Sequence, residues 1–383
     1  WVARGGTEED RIGIVVFSDN AKYDLESAGE YTQGAGGGAL LIRHNPRLIS
    51  IPDRWGVSTS PVHDFFKPRR EVSIKSVISH VVQLARETGA SIKEGMVDRM
   101  VRHLPESTVR RMGIFSHGVD SVQVHRDEPV FDGQFSNQCY QDAVEEAFRD
   151  FRAKAEADGR WDAQGETVLT EDWARIIMHL PYAFQAKRMF PAVFAYERRG
   201  SASWTDVEAE IGLPPSIDDF DDTPEGQAEH AKAMDGYRRS ISKTQAYREF
   251  HAERIEKGQR ASSLIGNQYT GSIFLAMMST FESDYEADSP LDGRQFGLCG
   301  YGSGAKAKVF EGVVSDRWRE VVASWNLFER MAGRMAIDQV TYELLHKGIH
   351  DGSVLKPRGE FALVEIEGGE GVLEGARTYA WVE

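Results

Sequence analysis

The chain has 383 residues, of which 41% are hydrophobic and 27% charged, an ordinary composition for a globular protein. Its formal net charge of −15 argues against a nucleic-acid-binding surface, which would need a basic stripe. Two cysteines, Cys139 and Cys299, are too few for a disulfide framework. Their number fits a reducing compartment, so we expect a cytoplasmic protein. No apolar run approaches the roughly 20 residues that span a bilayer, so no membrane association is expected.

The first two predicted elements are strands. Arg11–Ser18 is β-branched and apolar, which predicts a buried strand. Gly34–Ile42 holds four glycines in five positions before an apolar run, which predicts a strand whose backbone packs closely against a neighbour. A phosphate-cradling loop is the alternative interpretation of the glycines, but the Gly-Lys-Ser/Thr of a P-loop is absent.

Residues from about 69 to 125 form a predicted helical insertion. Val72–Thr88 has apolar positions at three-and-four spacing, typical of an amphipathic helix, and Ile92–His103 repeats the pattern. Packing or oligomerisation is the simplest role for such an insertion.

The remainder of the chain alternates helices and strands, which indicates an α/β architecture. Ser201–Gly258 is highly charged and is predicted to be solvated loop and surface helix. Its acidic run at 218–222 lacks the spacing of an EF-hand, so no metal site is predicted. The helices and strands predicted outside that region are Gln138–Asp158 and Ser272–Phe281 (helices), and Asp172–His179, Arg294–Leu298, Ala305–Val314, Phe361–Ile366 and Ala376–Val382 (strands or segments leading into strands).

Three short motifs carry functional groups. His179-Leu-Pro-Tyr182 places a histidine at the end of an apolar run, where an imidazole suits proton transfer. The alternative is a core histidine whose hydrogen bonds are satisfied. In Gly266-Asn267-Gln-Tyr-Thr-Gly-Ser272, the Asn267 amide can donate to a carbonyl oxygen that gains charge. Here the alternative is a helix N-cap formed by Thr270 or Ser272.

The third motif is Gly300-Tyr-Gly-Ser303-Gly304, a glycine-rich turn. Free backbone N–H groups in such a turn could form an oxyanion hole. The pattern is also similar to the Gly-x-Ser-x-Gly elbow of hydrolases, in which Ser303 would be a nucleophile.

In this order, the three motifs resemble the hydroxymethylglutaryl-CoA synthase family of the thiolase-fold superfamily. The resemblance covers most of the chain apart from the insertion and parts of 195–260. Further segments that carry it are Ser18–Tyr23, Gly29–Gly36, His63–Pro68, Phe131–Tyr140, Phe361-Ala-Leu-Val and Arg377-Thr-Tyr-Ala.

The resemblance implies an α/β, thiolase-like layered fold in which sheets sandwich helices. Residues 1–60 would end the N-terminal half, and 61–383 would form the C-terminal half, including the insertion. It also implies condensation of acetyl-CoA with acetoacetyl-CoA to 3-hydroxy-3-methylglutaryl-CoA, with these two thioesters as substrates and no cofactor or metal. A homodimer is the expected assembly.

Site residues follow from the same resemblance, position by position. His179 matches the catalytic histidine, Asn267 the asparagine that orients a substrate oxygen, and Ser303 a serine that holds the acyl oxygen. Asp19, Tyr23 and Asp64 match polar residues around the acyl site. The expected substrate-binding residues are Thr32, Tyr182, Lys187, Tyr301 and Gly302.

Two departures from the family pattern stand out. The nucleophilic cysteine and general-base glutamate would lie upstream of Ser18–Tyr23, so we expect an upstream segment or partner chain to supply them; neither Cys139 nor Cys299 is expected to replace the cysteine. The family also places a lysine near the CoA phosphates where this chain has Phe184, and Lys187 or Arg188 would take over its charge.

These departures leave two other functions open. The chain could be a β-branching synthase that acts on a β-ketoacyl thioester of a carrier protein. It could also be a non-catalytic partner subunit of a thiolase-type complex, although such a subunit has no chemical need for His179, Asn267 and Ser303 together.

Overall fold

The structure, a computed structural model, describes residues 11–90, 95, 121–125, 128–159, 168–350, 352–368 and 372–383. The strands are β1 (Ile12–Ala21), β2 (Gly34–Arg43), β3 (Ile49–Ser50), β4 (Trp55–Thr59), β5 (Phe65–Phe66), β6 (Arg69–Ser73), β7 (Ser121–His125), β8 (Val130–Phe131), β9 (Trp173–Met178), β10 (Gln295–Gly302), β11 (Lys306–Val314), β12 (Glu360–Ile366) and β13 (Arg377–Val382).

Helices occupy much of the rest of the described chain. They are α1 (Ile74–Glu87), α2 (Gly133–Ala157), α3 (Leu169–Asp172), α4 (Gln185–Met189), α5 (Pro191–Arg198), α6 (Thr205–Ile211), α7 (Pro224–Ile241), α8 (Gln245–Arg254), α9 (Glu256–Ile265), α10 (Ser272–Glu286), α11 (Trp318–Val322), α12 (Leu327–Ala332) and α13 (Gln339–His346), with 3-10 turns at Glu30–Thr32, Ala202–Trp204, Ile217–Asp219 and Tyr269–Gly271.

The chain divides into two compact units. One comprises residues 1–66 and 128–333, and the other comprises 67–127 and 334–383. In the second unit, β6 pairs antiparallel with β7, and β12 pairs antiparallel with β13. The assignment of residues 1–60 to an N-terminal half remains a prediction, since it concerns a larger assembly.

A five-stranded sheet organises the first unit. Its order is β3-β11-β10-β9, and β4 also pairs with β11. β9 and β10 are parallel, whereas β11 runs antiparallel to β10, β3 and β4. Helix α2 packs against β4 and β11, and α10 packs against β9. A side chain on Gly56 would lie 2.0 Å from the carbonyl oxygen of Ala147, so glycine allows α2 to approach β4 this closely.

Large aromatic side chains fill the space between this sheet and its helices. Trp173, Phe148 and Phe151 are fully buried, and the Trp173 ring contacts Phe148 edge to face and Phe151 at a tilt. Burial of one such side chain stabilises the fold by about 1.5–3 kcal/mol. The core therefore holds β9 firmly, and the residue that follows β9 has a fixed position.

The predicted α/β pattern is confirmed, with two corrections in the regions predicted as insertion and surface helix. α1 lies within the predicted Val72–Thr88 helix, but strand β6 precedes it, and Ile92–His103, apart from residue 95, lies outside the described residues. The 201–258 region is not merely a solvated surface, because Ile241, Tyr247 and Phe250 belong to the core. The charged faces of α7 and α8 hide this in the sequence, since each helix buries only one side.

The prediction that Arg11–Ser18 is a buried strand is wrong. β1 forms a two-stranded antiparallel sheet with β2 alone, and Ile14 and Val16 are 68% and 72% exposed. The opposite face is partly covered, because Gly34, Gly36 and Gly38 let the β2 face approach the 267–268 loop and Phe17. The predicted close packing of the glycine-rich strand is thus confirmed, and no phosphate-cradling loop forms there. None of the helices described has the length and apolarity to cross a membrane.

Candidate active site

His179 directly follows β9, and hydrogen bonds of its backbone groups fix its position. Its N–H donates to the carbonyl oxygen of Cys299 on β10 (2.9 Å), and its carbonyl oxygen accepts from the Tyr140 hydroxyl (2.8 Å). Desolvation by burial lowers the pKa of the imidazole to about 4, so the ring is neutral at pH 7. A neutral imidazole can accept a proton or a hydrogen bond from a substrate.

The Asn267 side chain has one fixed orientation. Its Oδ1 accepts from the Tyr269 N–H (2.8 Å) and the Ser272 hydroxyl (3.1 Å), so Nδ2 points the other way, to the Tyr23 hydroxyl at 3.3 Å. Asn267 is 3% exposed, and its N–H donates to the carbonyl oxygen of Thr32 (2.9 Å). The amide therefore presents donor hydrogens in a dry environment, as stabilisation of a developing oxyanion requires.

The helix-cap interpretation of this loop is wrong. No side chain caps the start of α10. Ser272 instead accepts from the Gln268 N–H (2.9 Å) and orders the loop around Asn267.

Ser303 lies in the turn between β10 and β11, and Asp64 anchors this turn. The fully buried Asp64 carboxylate accepts from the Tyr301 hydroxyl (2.6 Å) and the Gly304 N–H (2.8 Å). Burial and the neighbouring carboxylate raise the pKa of Tyr301, which keeps its hydroxyl a donor. Because Asp64 takes the Gly304 N–H, that group cannot serve an oxyanion.

The nucleophile-elbow interpretation of Ser303 is also wrong. An elbow joins a strand to a helix, whereas this turn joins two antiparallel strands. In this hairpin Ser303 is not held by a strand-to-helix turn that would expose a nucleophile.

A cavity of about 740 Å³ brings most of the predicted residues together within the first unit. The predicted residues that line it are Tyr23, Thr32, His179, Tyr182, Asn267, Tyr301, Gly302 and Ser303. Its volume is in the range of small-molecule sites, about 300–1,000 Å³.

Three predicted residues do not line this cavity. Asp64 lies behind Tyr301 and acts on the cavity through it. Asp19 is on β1, opposite Gly36, and its charge adds to the burial that raises the pKa of Tyr269. Lys187 faces solvent.

Arg188, the other candidate for the missing lysine, does line the cavity. Its guanidinium carbon lies 5.6 Å from the centre of the Tyr182 ring, and Nη1 is 3.4 Å from the Tyr182 hydroxyl. The turn of α4 explains the difference, because it directs residues 185 and 188 to the cavity and residue 187 outward.

Sequence reasoning missed several lining residues, among them Tyr140, Gln185 and Tyr269. Tyr140 ends the Phe131–Tyr140 segment that carried the family resemblance, and Tyr269 lies two residues after Asn267, so both could have been predicted as site residues. Gln185 had one signal, its spacing of three from Tyr182 and six from His179.

Neither cysteine has the environment of an activated nucleophile, which needs a lowered pKa. Cys299 is fully buried, and desolvation raises its pKa to about 12. Burial, then the charges of Asp64 and Asp142, raise the pKa of Cys139. Within the described residues no three or more His, Cys, Asp or Glu side chains are grouped to hold a metal ion.

The comparisons of sequence and of structure both find similarity to hydroxymethylglutaryl-CoA synthases. The curated relatives include hydroxymethylglutaryl-CoA synthases of Haloferax volcanii (25% identical, covering 94% of this chain and 66% of the relative) and Enterococcus faecalis (23% identical, covering 79% and 49%). The chain thus spans about half to two thirds of the length of these relatives.

Solved structures agree with this similarity. MvaS in complex with 3-hydroxy-3-methylglutaryl coenzyme A has a TM-score of 0.64 at 25% identity, covering 97% of this chain and 68% of that one. The curacin biosynthetic pathway HMG synthase in complex with holo donor-ACP has a TM-score of 0.58 at 16% identity, covering 97% and 67%, and shows likeness of fold alone. These likenesses confirm the predicted thiolase-like fold.

The family model for the C-terminal part of hydroxymethylglutaryl-coenzyme A synthase matches residues 123–349, more than half of the 383 residues. This segment contains β9, the Asn267 loop and the Ser303 turn. The chain therefore belongs to the hydroxymethylglutaryl-CoA synthase family.

Proposed function

We propose that this chain forms the condensing half of an active site that joins acetyl-CoA to acetoacetyl-CoA and yields 3-hydroxy-3-methylglutaryl-CoA. The observation that carries the proposal is that His179, Asn267 and Ser303 line the same cavity. The nucleophilic cysteine and base glutamate come from an upstream segment or a partner chain, and the assembly is a homodimer or a complex with that chain in the cytoplasm.

Each group has a role that fits its surroundings. Free CoA leaves when the acetyl group passes to the cysteine, and the glutamate removes a proton from the methyl group of the cysteine-bound acetyl thioester. The resulting carbanion equivalent attacks the ketone carbon of acetoacetyl-CoA, and negative charge develops on the ketone oxygen, which is then protonated. Water hydrolyses the thioester to the cysteine and so releases 3-hydroxy-3-methylglutaryl-CoA. The neutral His179 ring contacts the acetoacetyl group and supports its condensation, exchanging a proton with the reacting oxygen. The Asn267 amide donates to a substrate oxygen, and Ser303 holds the acyl oxygen.

The surrounding residues position these groups and the substrate. Tyr23 and Asp19 support the Asn267 side of the cavity, while Asp64 fixes Tyr301. Thr32, Tyr182, Tyr301 and Gly302 line the substrate pocket. Arg188 is better placed than Lys187 to meet a substrate phosphate, since it lines the cavity.

A carrier-protein-bound β-ketoacyl thioester is the second candidate substrate. The observation that favours it is Phe184, which is 62% exposed where the family has a phosphate-binding lysine. The net charge of −15 weighs against it, because carrier proteins are usually acidic and would be repelled.

Labelled acetyl-CoA tests the proposal. The assembly isolated with this chain from its native source is incubated with [¹⁴C]acetyl-CoA, and labelled peptides are mapped. We expect the label on a cysteine outside this sequence, followed by release as 3-hydroxy-3-methylglutaryl-CoA when acetoacetyl-CoA is added.

Two results would contradict this expectation. No covalent label on any chain would leave a non-catalytic partner subunit as the better interpretation. Release by an acetoacetyl carrier protein but not by acetoacetyl-CoA would select the carrier-bound substrate instead.

A further inference from the structure

Gln185 is a buried amide with an unused acceptor in the cavity wall. It is the first residue of α4, it is 1% exposed, and it lines the cavity. Its backbone N–H donates to the carbonyl oxygen of Tyr182 (3.0 Å), but no group of the described residues donates to its Oε1. A buried unpaired amide oxygen destabilises a fold, so its presence needs an explanation.

The position of Gln185 along the wall indicates what the partner is. Residues at intervals of three, from His179 through Tyr182 and Gln185 to Arg188, all line the cavity. The series begins at the proposed reacting group and ends at a cation. Gln185 lies between them, where the linker between the reacting thioester and a phosphate would pass.

The chemistry of the side chain narrows the partner further. A primary amide offers an acceptor oxygen and donor hydrogens, and its natural complement is another amide. The pantetheine arm of a thioester substrate carries amides between sulfur and phosphate.

We propose that Gln185 Oε1 accepts a hydrogen bond from an amide N–H of the substrate's pantetheine arm. The inference rests on the proposed function and names the part of the substrate that this wall recognises. Coenzyme A and a carrier protein present the same arm, so the contact serves either source.

Gln141 supplies a matched control. It is also a buried glutamine, 8% exposed, and its Nε2 has no partner among the described residues. It lies on α2 and does not line the cavity. The two glutamines thus share burial and an unpaired amide group, but only one can reach a cavity ligand.

Titration calorimetry of the native assembly with two non-phosphorylated probes tests the proposal. The probes are acetoacetyl-pantetheine and the S-ethyl thioester of acetoacetate, which has no amide. We expect Gln185→Met to lower the affinity for acetoacetyl-pantetheine about tenfold, as loss of one buried hydrogen bond does, and to leave the affinity for the S-ethyl thioester unchanged. Gln141→Met should change neither affinity.

Thermal unfolding without ligand separates recognition from structure. Removal of an unpaired amide should leave the Tm of Gln185→Met unchanged or raise it, whereas a structural role predicts a lower Tm. Acetoacetyl-CoA and an acetoacetyl carrier protein, titrated in parallel, report whether one source or both use the contact.

The failures of the two proposals are distinguishable. Equal affinity of the wild type and Gln185→Met for acetoacetyl-pantetheine overturns the role of Gln185, and acetyl labelling with product release would still support the condensation. A lowered Tm together with an equal loss of affinity for both probes would assign Gln185 a structural role. Failure of both probes to bind the wild type would contradict both proposals.

Discussion

Two walls of the same cavity differ in how their polar groups are used. On one wall, Asn267 Oδ1 accepts two hydrogen bonds, and behind this wall the Asp64 carboxylate accepts from Tyr301 and Gly304. On the other wall, the chain from His179 to Arg188 carries a neutral imidazole and the unpaired Oε1 of Gln185. The protein itself uses these acceptors of the first wall, whereas the second wall leaves an acceptor and a neutral imidazole for a ligand.

This difference separates positioning from recognition. A group with its hydrogen bonds already made keeps one orientation, which suits preorganised stabilisation of charge. A group without a partner gains a hydrogen bond only when a substrate arrives, which suits discrimination between substrates. Substitutions on the first wall should therefore affect stability and rate together, and those on the second should affect rate or affinity alone.

His179→Ala should give the largest effect. Loss of a proton-transfer group typically lowers the rate about 10²–10⁴-fold, while acetylation of the nucleophile should continue. Pre-steady-state assays of the native assembly would measure the two steps separately. Because the imidazole pKa is lowered to about 4, its titration should produce no inflection in the condensation rate between pH 5.5 and 8. Condensation that survives in the variant would remove His179 from the mechanism.

Asn267→Ala comes next and should affect both properties. Loss of one oxyanion donor lowers kcat about 10²–10³-fold. The variant also leaves the Tyr269 N–H and the Ser272 hydroxyl without an acceptor, which should lower the free energy of unfolding by about 1–3 kcal/mol. Urea unfolding and condensation assays on one preparation would show whether the losses coincide. A loss of rate with unchanged stability would mean that Asn267 behaves like the groups of the second wall, which serve recognition alone.

Asp64→Ala should act mainly through structure. The Tyr301 hydroxyl and Gly304 N–H would lose a buried acceptor, so we expect the free energy of unfolding to fall by about 3 kcal/mol. The rate should fall about tenfold as the Ser303 turn loosens. Asp64→Asn keeps one acceptor oxygen and should recover part of both losses. If Asp64→Asn is as damaged as Asp64→Ala, the charge itself matters, and Asp64 does more than position Tyr301.

The sequence predicted the second wall only in part. His179 could be predicted as a site residue because a strand, a histidine and a proline are adjacent in the chain, and such a local pattern can be recognised in the sequence. Arg188 and Lys187 could not be separated, because the choice depends on where α4 begins after Pro181 and therefore which way each residue faces. The phase of a five-residue helix leaves no periodic signal.

The first wall depends on contacts that are distant in sequence. Asp64 and Tyr301 are 237 positions apart, so the hydrogen bond between them has no local signature. The family resemblance identified both residues as important but could not say that one acts through the other. Strand β1 failed for a different reason. Its composition indicates burial on both faces, whereas in this structure β2 pairs with one edge of β1 and the Asn267 loop covers one face.

Arg188→Ala tests the far end of the second wall and should have the smallest effect. An exposed guanidinium that meets a phosphate contributes about 1 kcal/mol, so the KM for acetoacetyl-CoA should rise about fivefold with little change in kcat. The KM for acetoacetyl-pantetheine, which has no phosphate, should be unchanged. Lys187→Ala is the matched control, because it removes an adjacent positive charge that faces solvent.

The salt dependence of KM separates a specific contact from a general field. If Arg188 meets a phosphate directly, the fivefold difference should shrink only partly as salt rises to 0.5 M, because a charge-assisted hydrogen bond persists after long-range attraction is screened. If Lys187→Ala raises KM as much as Arg188→Ala, the two cations attract the substrate only by their charge. The part of the second wall that contacts the substrate directly would then end at Gln185 rather than at Arg188.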